Sequence, residues 1–178
     1  SVYLGQDAPA RGIKANVSSF VRHHPGAMMT KAKISGNYVN SVLAKTDSQR
    51  NGFDEAILLD PAGYVSECSG ANVFLVDRGK LVTPAAETIL VGITRNTIFE
   101  MGRDLGLDVQ EAHITRDHLY IADEVFVCGT AAEVSSVNSV DDRTIPCPGP
   151  MTLAIAETYR RAARGEEPAY KDWCELCE

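Results

Sequence analysis

Basic residues are in the minority in this 178-residue chain: 17 Lys and Arg stand against 24 Asp and Glu, a formal net charge of −7. That deficit argues against nucleic-acid binding as the main activity, because a polyphosphate backbone is held by positive charge, although a local cationic pocket remains compatible with it. Cysteine is sparse and unsuited to a disulfide framework. There are five, an odd number; Cys68, Cys128 and Cys147 are widely spread, and only Cys174 and Cys177 share a C-x-x-C spacing. No run approaches the roughly 18 consecutive apolar residues of a membrane span. The opening Ser1-Val2-Tyr3-Leu4-Gly5 lacks the basic-then-apolar order of a secretion signal. The expectation is therefore a cytoplasmic protein with neither a membrane nor a nucleic acid as partner. Internal repeats, low-complexity tracts and a domain-splitting linker are missing too, which predicts a single domain over 1–178. What remains is an ordinary globular composition, 44% hydrophobic and 23% charged. A chain of this length buries roughly 70% of its unfolded surface, enough for a core that needs no staples.

Short β-rich runs alternate with helical patterns, so the fold class is mixed α and β. Val39, Val42, Leu43 and Thr46 fall at i, i+3, i+4, i+7 and predict a helix, stopped by Asn51-Gly52. Strands are predicted at residues 55–60, 64–67 and 72–76, separated by Pro61-Ala62-Gly63 and Ser69-Gly70, with a hairpin at Asp77-Arg78-Gly79-Lys80 leading into 81–84. After Gly92, the residues Ile93, Thr94, Ile98, Met101 and Leu105 fit one helical face, with Thr94 as candidate N-cap and Gly106 as stop. A strand at 108–114, a short helical piece begun by Thr115, a strand at 124–128 and a final amphipathic helix at 151–164 complete the pattern.

Several of these elements bring chemistry-bearing residues to their ends. Lys33 stands just ahead of Gly36-Asn37-Tyr38, an amine one turn from a phenol. A lysine that forms a Schiff base has to shed its proton near neutral pH, which burial and neighbouring polar groups arrange. Glu67 closes a predicted strand where packing could hold a carboxylate. Gly92-Ile93-Thr94-Arg95 opens a helix, whose first N–H groups make an anion site. Gly129-Thr130-Ala131 ends a strand in a turn with further N–H groups and a hydroxyl. By contrast, His23-His24 reads as a solvated turn, His113 and His118 have no partner at ligand spacing, and Cys174 and Cys177 supply only two of the four ligands of a tetrahedral site. No metal is assigned.

An amine, a phenol, a carboxylate and two N–H-rich turns are what pyridoxal 5'-phosphate requires. In order and in sequence the segments resemble the fold-type IV pyridoxal phosphate enzymes, and most closely the branched-chain amino acid aminotransferases. The similar stretches are Lys33-Ile34-Ser35-Gly36-Asn37-Tyr38, residues 51–60, Gly63-Tyr64-Val65-Ser66-Glu67, Gly92-Ile93-Thr94-Arg95, and residues 122–133, within a likeness running from about Tyr3 to about Tyr159. The resemblance implies the C-terminal cofactor-binding domain of the D-amino acid aminotransferase-like fold, a sheet or pseudo-barrel with flanking helices. It implies Lys33 as the aldimine-forming catalytic base and Lys31 as a bystander. Glu67 would face the pyridine nitrogen, Tyr38 the phenolic oxygen, and Leu90 the ring. Ile93, Thr94 and Thr130 would hold the phosphate, and Thr130 and Ala131 the substrate carboxylate. The implied reaction carries the amino group of leucine, isoleucine or valine to 2-oxoglutarate.

Within the superfamily the alternatives are D-amino acid aminotransferase and aminodeoxychorismate lyase; outside it, a folded partner domain that does no chemistry. Cys68-Ser69-Gly70-Ala71-Asn72 departs from the family pattern, which more often has Gly, a small residue, Gly, Glu, Asn, and Glu87 and Val91 are unusual in the loop before Gly92. The resemblance further implies an N-terminal domain ahead of this chain, bringing an arginine to the phosphate, and a homodimer or larger assembly once that domain is present.

Overall fold

The computed structural model describes Leu4 and residues 11–173, and places nine strands in one sheet. In chain order they are β1 (Ile13–Val17), β2 (Glu55–Leu59), β3 (Val65–Cys68), β4 (Asn72–Asp77), β5 (Lys80–Pro84), β6 (Asp108–Ala112), β7 (Glu124–Gly129), β8 (Glu133–Val140) and β9 (Arg143–Thr144). The α-helices among the described residues are α1 (Tyr38–Arg50), α2 (Ile93–Asp104), α3 (Arg116–Ile121) and α4 (Pro150–Ala163). Across the sheet the order is β3-β2-β1-β8-β7-β4-β5-β6, with β9 added to β8.

That order forces curvature. β3 and β4 stand five strand positions apart, about 24 Å in a flat sheet at ~4.8 Å per step, yet the chain crosses from Cys68 to Asn72 in four Cα steps, at most about 14 Å. The sheet therefore curls until its β3 edge comes back towards β4, and the turn is drawn tight by the Cys68 N–H donating to the Ala71 carbonyl at 2.8 Å. Both faces are covered, which explains the near-continuous apolar runs of β2, β4 and β7. Alternation along each strand then sorts the core. Val73, Leu75, Val125 and Val127 enter the cluster inside the curl, while Phe74, Val76, Phe126 and Cys128 meet Ile98 of α2 and Ile155 of α4 on the outer face. Phe74 and Phe126, paired in register, stack with ring centroids 5.1 Å apart.

The predicted helix α1 is present, but its apolar spacing faces away from the sheet. Val39, Val42 and Leu43 are 62%, 60% and 50% exposed, and the helix instead buries Ser41, Ala44 and Ser48. Ala44 packs on Ala56 and Leu58 of β2; small side chains let this helix lie close to the sheet, so the branched ones point away from it. In α2 the N-cap is Gly92 rather than Thr94, which sits buried inside the first turn, and Ile93 and Leu105 fall outside the packed face. The stops at Gly52, Gly63 and Gly106 all have positive φ, as expected. Strands β1 and β8 have no counterpart in the sequence pattern: β1 is five residues, and β8 carries Ser135, Ser136 and Ser139 in the middle of the sheet.

One polar device fixes α4 on the sheet. The buried carboxylate of Glu124 accepts the Met151 N–H at 3.0 Å, the Thr152 N–H at 2.7 Å and the Thr152 hydroxyl at 2.6 Å. It thus caps a helix start from another element. Gly149, the N-cap, leaves the necessary room, since a Cβ there would lie 1.9 Å from the Glu124 carboxyl carbon. Glu124→Ala strands three donors and is expected to cost about 2 kcal/mol. At this chain length that lowers the melting temperature by about 4–8 °C, and Gly149→Ala should move it the same way. Thermal melts followed by circular dichroism check both.

Candidate active site

A cavity of about 260 Å³ opens where the β3–β4 turn, the segment leading into α2, the end of β7 and the chain before α1 converge. Its wall includes Lys33, Tyr38, Glu67, Leu90, Ile93, Thr94 and Thr130, which the topology brings together from separate elements. Ala131 follows Thr130 in an exposed turn, and the cavity wall ends at Thr130. Lys31 turns aside, its Nζ donating to the Ala86 carbonyl at 2.5 Å.

The Lys33 segment is shaped by Asn37. This residue is 2% exposed, and its Nδ2 donates to the carbonyls of Met29 and Ala32, both at 2.9 Å. Its own carbonyl accepts from His23 Nε2 at 2.8 Å. Three contacts from one short polar residue close the irregular stretch between β1 and α1, so Lys33 is presented by a pinned loop. Asn37 was in plain view in the sequence as part of the Gly-Asn-Tyr motif, without a role.

Glu67 is the electrostatic centre. Its carboxylate is buried, with Oε1 2.7 Å from Arg22 Nη2, and Oε2 accepting the Leu90 N–H at 3.0 Å and Asn72 Nδ2 at 3.3 Å. Burial pushes its pKa up from 4.5 to about 7, against the pull of the Arg22 guanidinium and the Leu90 amide. Arg22 is itself buried and borders the cavity, and its Nε has no hydrogen-bond partner. Sequence reasoning missed it. A single arginine between Phe20-Val21 and His23-His24 carries no local motif, and only the fold shows its carboxylate.

At the other end, α2 starts without a side-chain cap and without an acidic residue in its first turn. Its hydrogen-bond ladder begins with the Asn96 N–H on the Gly92 carbonyl, so the N–H groups of Ile93, Thr94 and Arg95 lie ahead of it, the orphan donors that suit an anion. The Arg95 side chain is directed elsewhere, to the Pro84 carbonyl at 3.2 Å and Glu111 Oε1 at 2.7 Å. The cavity thus offers an amine, a phenol, an anion-binding helix start and, opposite, a carboxylate suited to a cationic ring nitrogen. Among the described residues no group of three or more His, Cys, Asp or Glu could hold a metal, and no helix is long and apolar enough to cross a membrane. His113 lies against Tyr64, and His118 pairs with Asp77. Cys174 and Cys177 are outside the described residues.

Comparison with known proteins places this geometry. The family model for class IV amino-transferases matches residues 3–140. The branched-chain-amino-acid aminotransferase of Pseudomonas aeruginosa is 44% identical over 173 residues, covering 96% of this chain and 56% of that protein. The crystal structure of the branched-chain aminotransferase of Thermoproteus uzoniensis with norvaline aligns with a TM-score of 0.89 at 46% identity, over 91% of this chain and 55% of that one. The branched-chain amino acid aminotransferase of Thermobaculum terrenum, crystallised in its PLP-form, aligns with a TM-score of 0.89 at 38% identity, over 90% of this chain and 54% of that one. With its half-barrel sheet and flanking helices, this chain belongs to the class IV aminotransferase family. It spans about half the length of the relatives it matches.

Glu67 yields a pH prediction for the cofactor-free protein. Its folded value, about 7, lies above the unfolded 4.5, so between them the native state binds the extra proton. Stability is then greatest below pH 4.5 on this account, falls as pH rises to 7 and is flat above, by about 3 kcal/mol in total. Urea midpoints measured across this range and up to about pH 8 should show that decline. Glu67→Gln should abolish it, and an unchanged slope in that variant would assign the decline to other groups.

Proposed function

We propose that this chain is the cofactor-holding part of a pyridoxal 5'-phosphate-dependent aminotransferase that moves the amino group of leucine, isoleucine or valine to 2-oxoglutarate. The observation that carries the reading is the convergence of Lys33, Glu67 and the uncapped start of α2 on one cavity. The amine can hold the cofactor's aldehyde carbon, the helix start its phosphate, and the carboxylate its ring nitrogen. Arg22, with an unpartnered Nε in the same wall, keeps a buried carboxylate tolerable there. When bound, pyridoxal phosphate supplies the electron sink for a substrate Cα that has lost its proton.

The chain's own groups do the rest. With the substrate amine in its place at the aldehyde carbon, Lys33 Nζ would be free to take the proton from Cα and hand it back, the general-base step. Glu67, ionised, would keep the ring nitrogen protonated so that the sink works. Tyr38 would hydrogen-bond the phenolic oxygen, Leu90 would pack against the ring, the Ile93 and Thr94 amides with the Thr130 hydroxyl would take the phosphate, and Thr130 and Ala131 would receive the substrate carboxylate. The substrate class rests on the relatives, which are named as branched-chain enzymes. We read the chain as one cofactor-binding domain of a cytoplasmic protein that works as a homodimer or larger assembly. The exposed Val39, Val42 and Leu43 beside the site favour a covering surface.

The test is covalent. The purified chain is incubated with pyridoxal 5'-phosphate, reduced with borohydride and peptide-mapped. A single label on Lys33, lost in Lys33→Ala and kept in Lys31→Ala, is expected. No label, or labels scattered over many lysines, would replace this reading with that of a folded domain that does no chemistry.

A further inference from the structure

Asn72 is the first residue of β4, 7% exposed, and lies between the two ends of the cavity. Its Nδ2 donates to Glu67 Oε2 at 3.3 Å and to the Leu90 carbonyl at 3.0 Å. Its Oδ1 lies so close to Gly92 that a Cβ built there would be 2.4 Å from it. Gly92 has φ −71 and ψ 144, an extended conformation open to any residue. Backbone geometry therefore gives no reason for glycine at this N-cap; the approach of Asn72 does. One amide thus touches the carboxylate at one end of the site and the residue that starts the anion-binding helix at the other. Leu90 completes the loop, its N–H on Glu67 and its carbonyl on Asn72.

We infer that Asn72 is a positioning residue that sets the span between the carboxylate facing the ring nitrogen and the helix start that takes the phosphate. The inference rests on the functional reading above. A rigid span matters for a ligand that engages both ends at once. It gains from the linkage only if the two subsites stand at its own length, whereas a ligand that engages one end is indifferent to the distance.

The experiment compares three ligands on the wild-type chain and on Asn72→Ala, Gly92→Ala and the double variant: pyridoxal 5'-phosphate, pyridoxal and inorganic phosphate, each titrated by calorimetry. Asn72→Ala should weaken pyridoxal phosphate about tenfold or more while weakening pyridoxal and phosphate each by less than about threefold. Gly92→Ala, which displaces Asn72 without removing it, should reproduce that pattern. It should add less than about twofold in the Asn72→Ala background, where the obstruction is gone. A parallel melting-temperature cycle on cofactor-free protein reads the Asn72–Gly92 contact without any ligand, and there too the two substitutions should be less than additive. Equal loss of all three ligands, or Gly92→Ala costing as much with Asn72 as without it, would overturn the inference. A wild-type chain that binds no pyridoxal phosphate overturns the functional reading and this inference with it. A wild-type chain that binds while the variants lose all three ligands alike sinks this inference alone.

Discussion

A carboxylate taken out of water must be surrounded by donors or give up its charge, and Glu67 imposes that requirement on everything near it. Its donors come from three parts of the chain: Arg22 from the segment after β1, Asn72 from β4 and Leu90 from the loop before α2. None is near it in sequence except Asn72. Meeting the demand of one side chain therefore fixes the relative positions of three segments, and those segments form most of the cavity wall. Burial still outweighs the donors, which leaves Glu67 at about 7 in the cofactor-free protein. One more positive partner would tip it to the ionised form, and a protonated ring nitrogen is such a partner.

The convergence depends on the curl of the sheet. A turn from Cys68 to Asn72 that joins the edge strand β3 to the interior strand β4 leaves no room for a flat arrangement. Glu67 and Asn72 occupy the two sides of that turn, so the constraint that bends the sheet also sets the carboxylate beside its amide donor. Behind the turn, Ser69 is tied to the buried Glu55, its hydroxyl 2.5 Å from Oε1, and Glu55 is paired with Lys45 of α1 at 2.8 Å. The floor of the site is thus braced from the far side by a second buried charge, and α1 is joined to the sheet by a salt bridge as well as by Ala44.

How much of this was legible in the sequence follows from which residues act locally. Strands β2, β4 and β7 are apolar runs between glycine and proline breaks, and stops such as Gly106 need a left-handed residue, so pattern and turn chemistry found them. The site residues emerged as a set because their order matched a family; singly, Lys33 or Glu67 carries no signal. The failures share a cause. The helical spacing of Val39, Val42 and Leu43 is real, but periodicity says only that a face is apolar, not that it faces this chain's own core. Thr94 is a good cap by type, yet the close approach of Asn72 sets Gly92 at that position and leaves threonine inside the turn. Strand β8 has no local strand pattern because serines interrupt it, and its place in the sheet is set by long-range pairing on both sides, which outweighs local preference. Arg22 could not be found at all without its carboxylate.

The site has a dry side and a wet side. Glu67, Arg22, Asn72 and Thr94 are buried, whereas Lys33 and Thr130 are exposed. The charged and polar groups around Glu67 thus work in a low dielectric already, while Lys33 and Thr130 do not. Val21, Ile34 and Val39, each next in sequence to a residue of the cavity wall, are exposed and apolar, as is Met29. Apolar side chains at the mouth of a polar cavity gain by being covered, and covering them removes water from the exposed half of the site. Charge interactions there would then strengthen as they already have around Glu67. The outward face of α1, a poor choice for packing within this chain, would gain in the same way from a protein surface closing over the exposed side of the cavity.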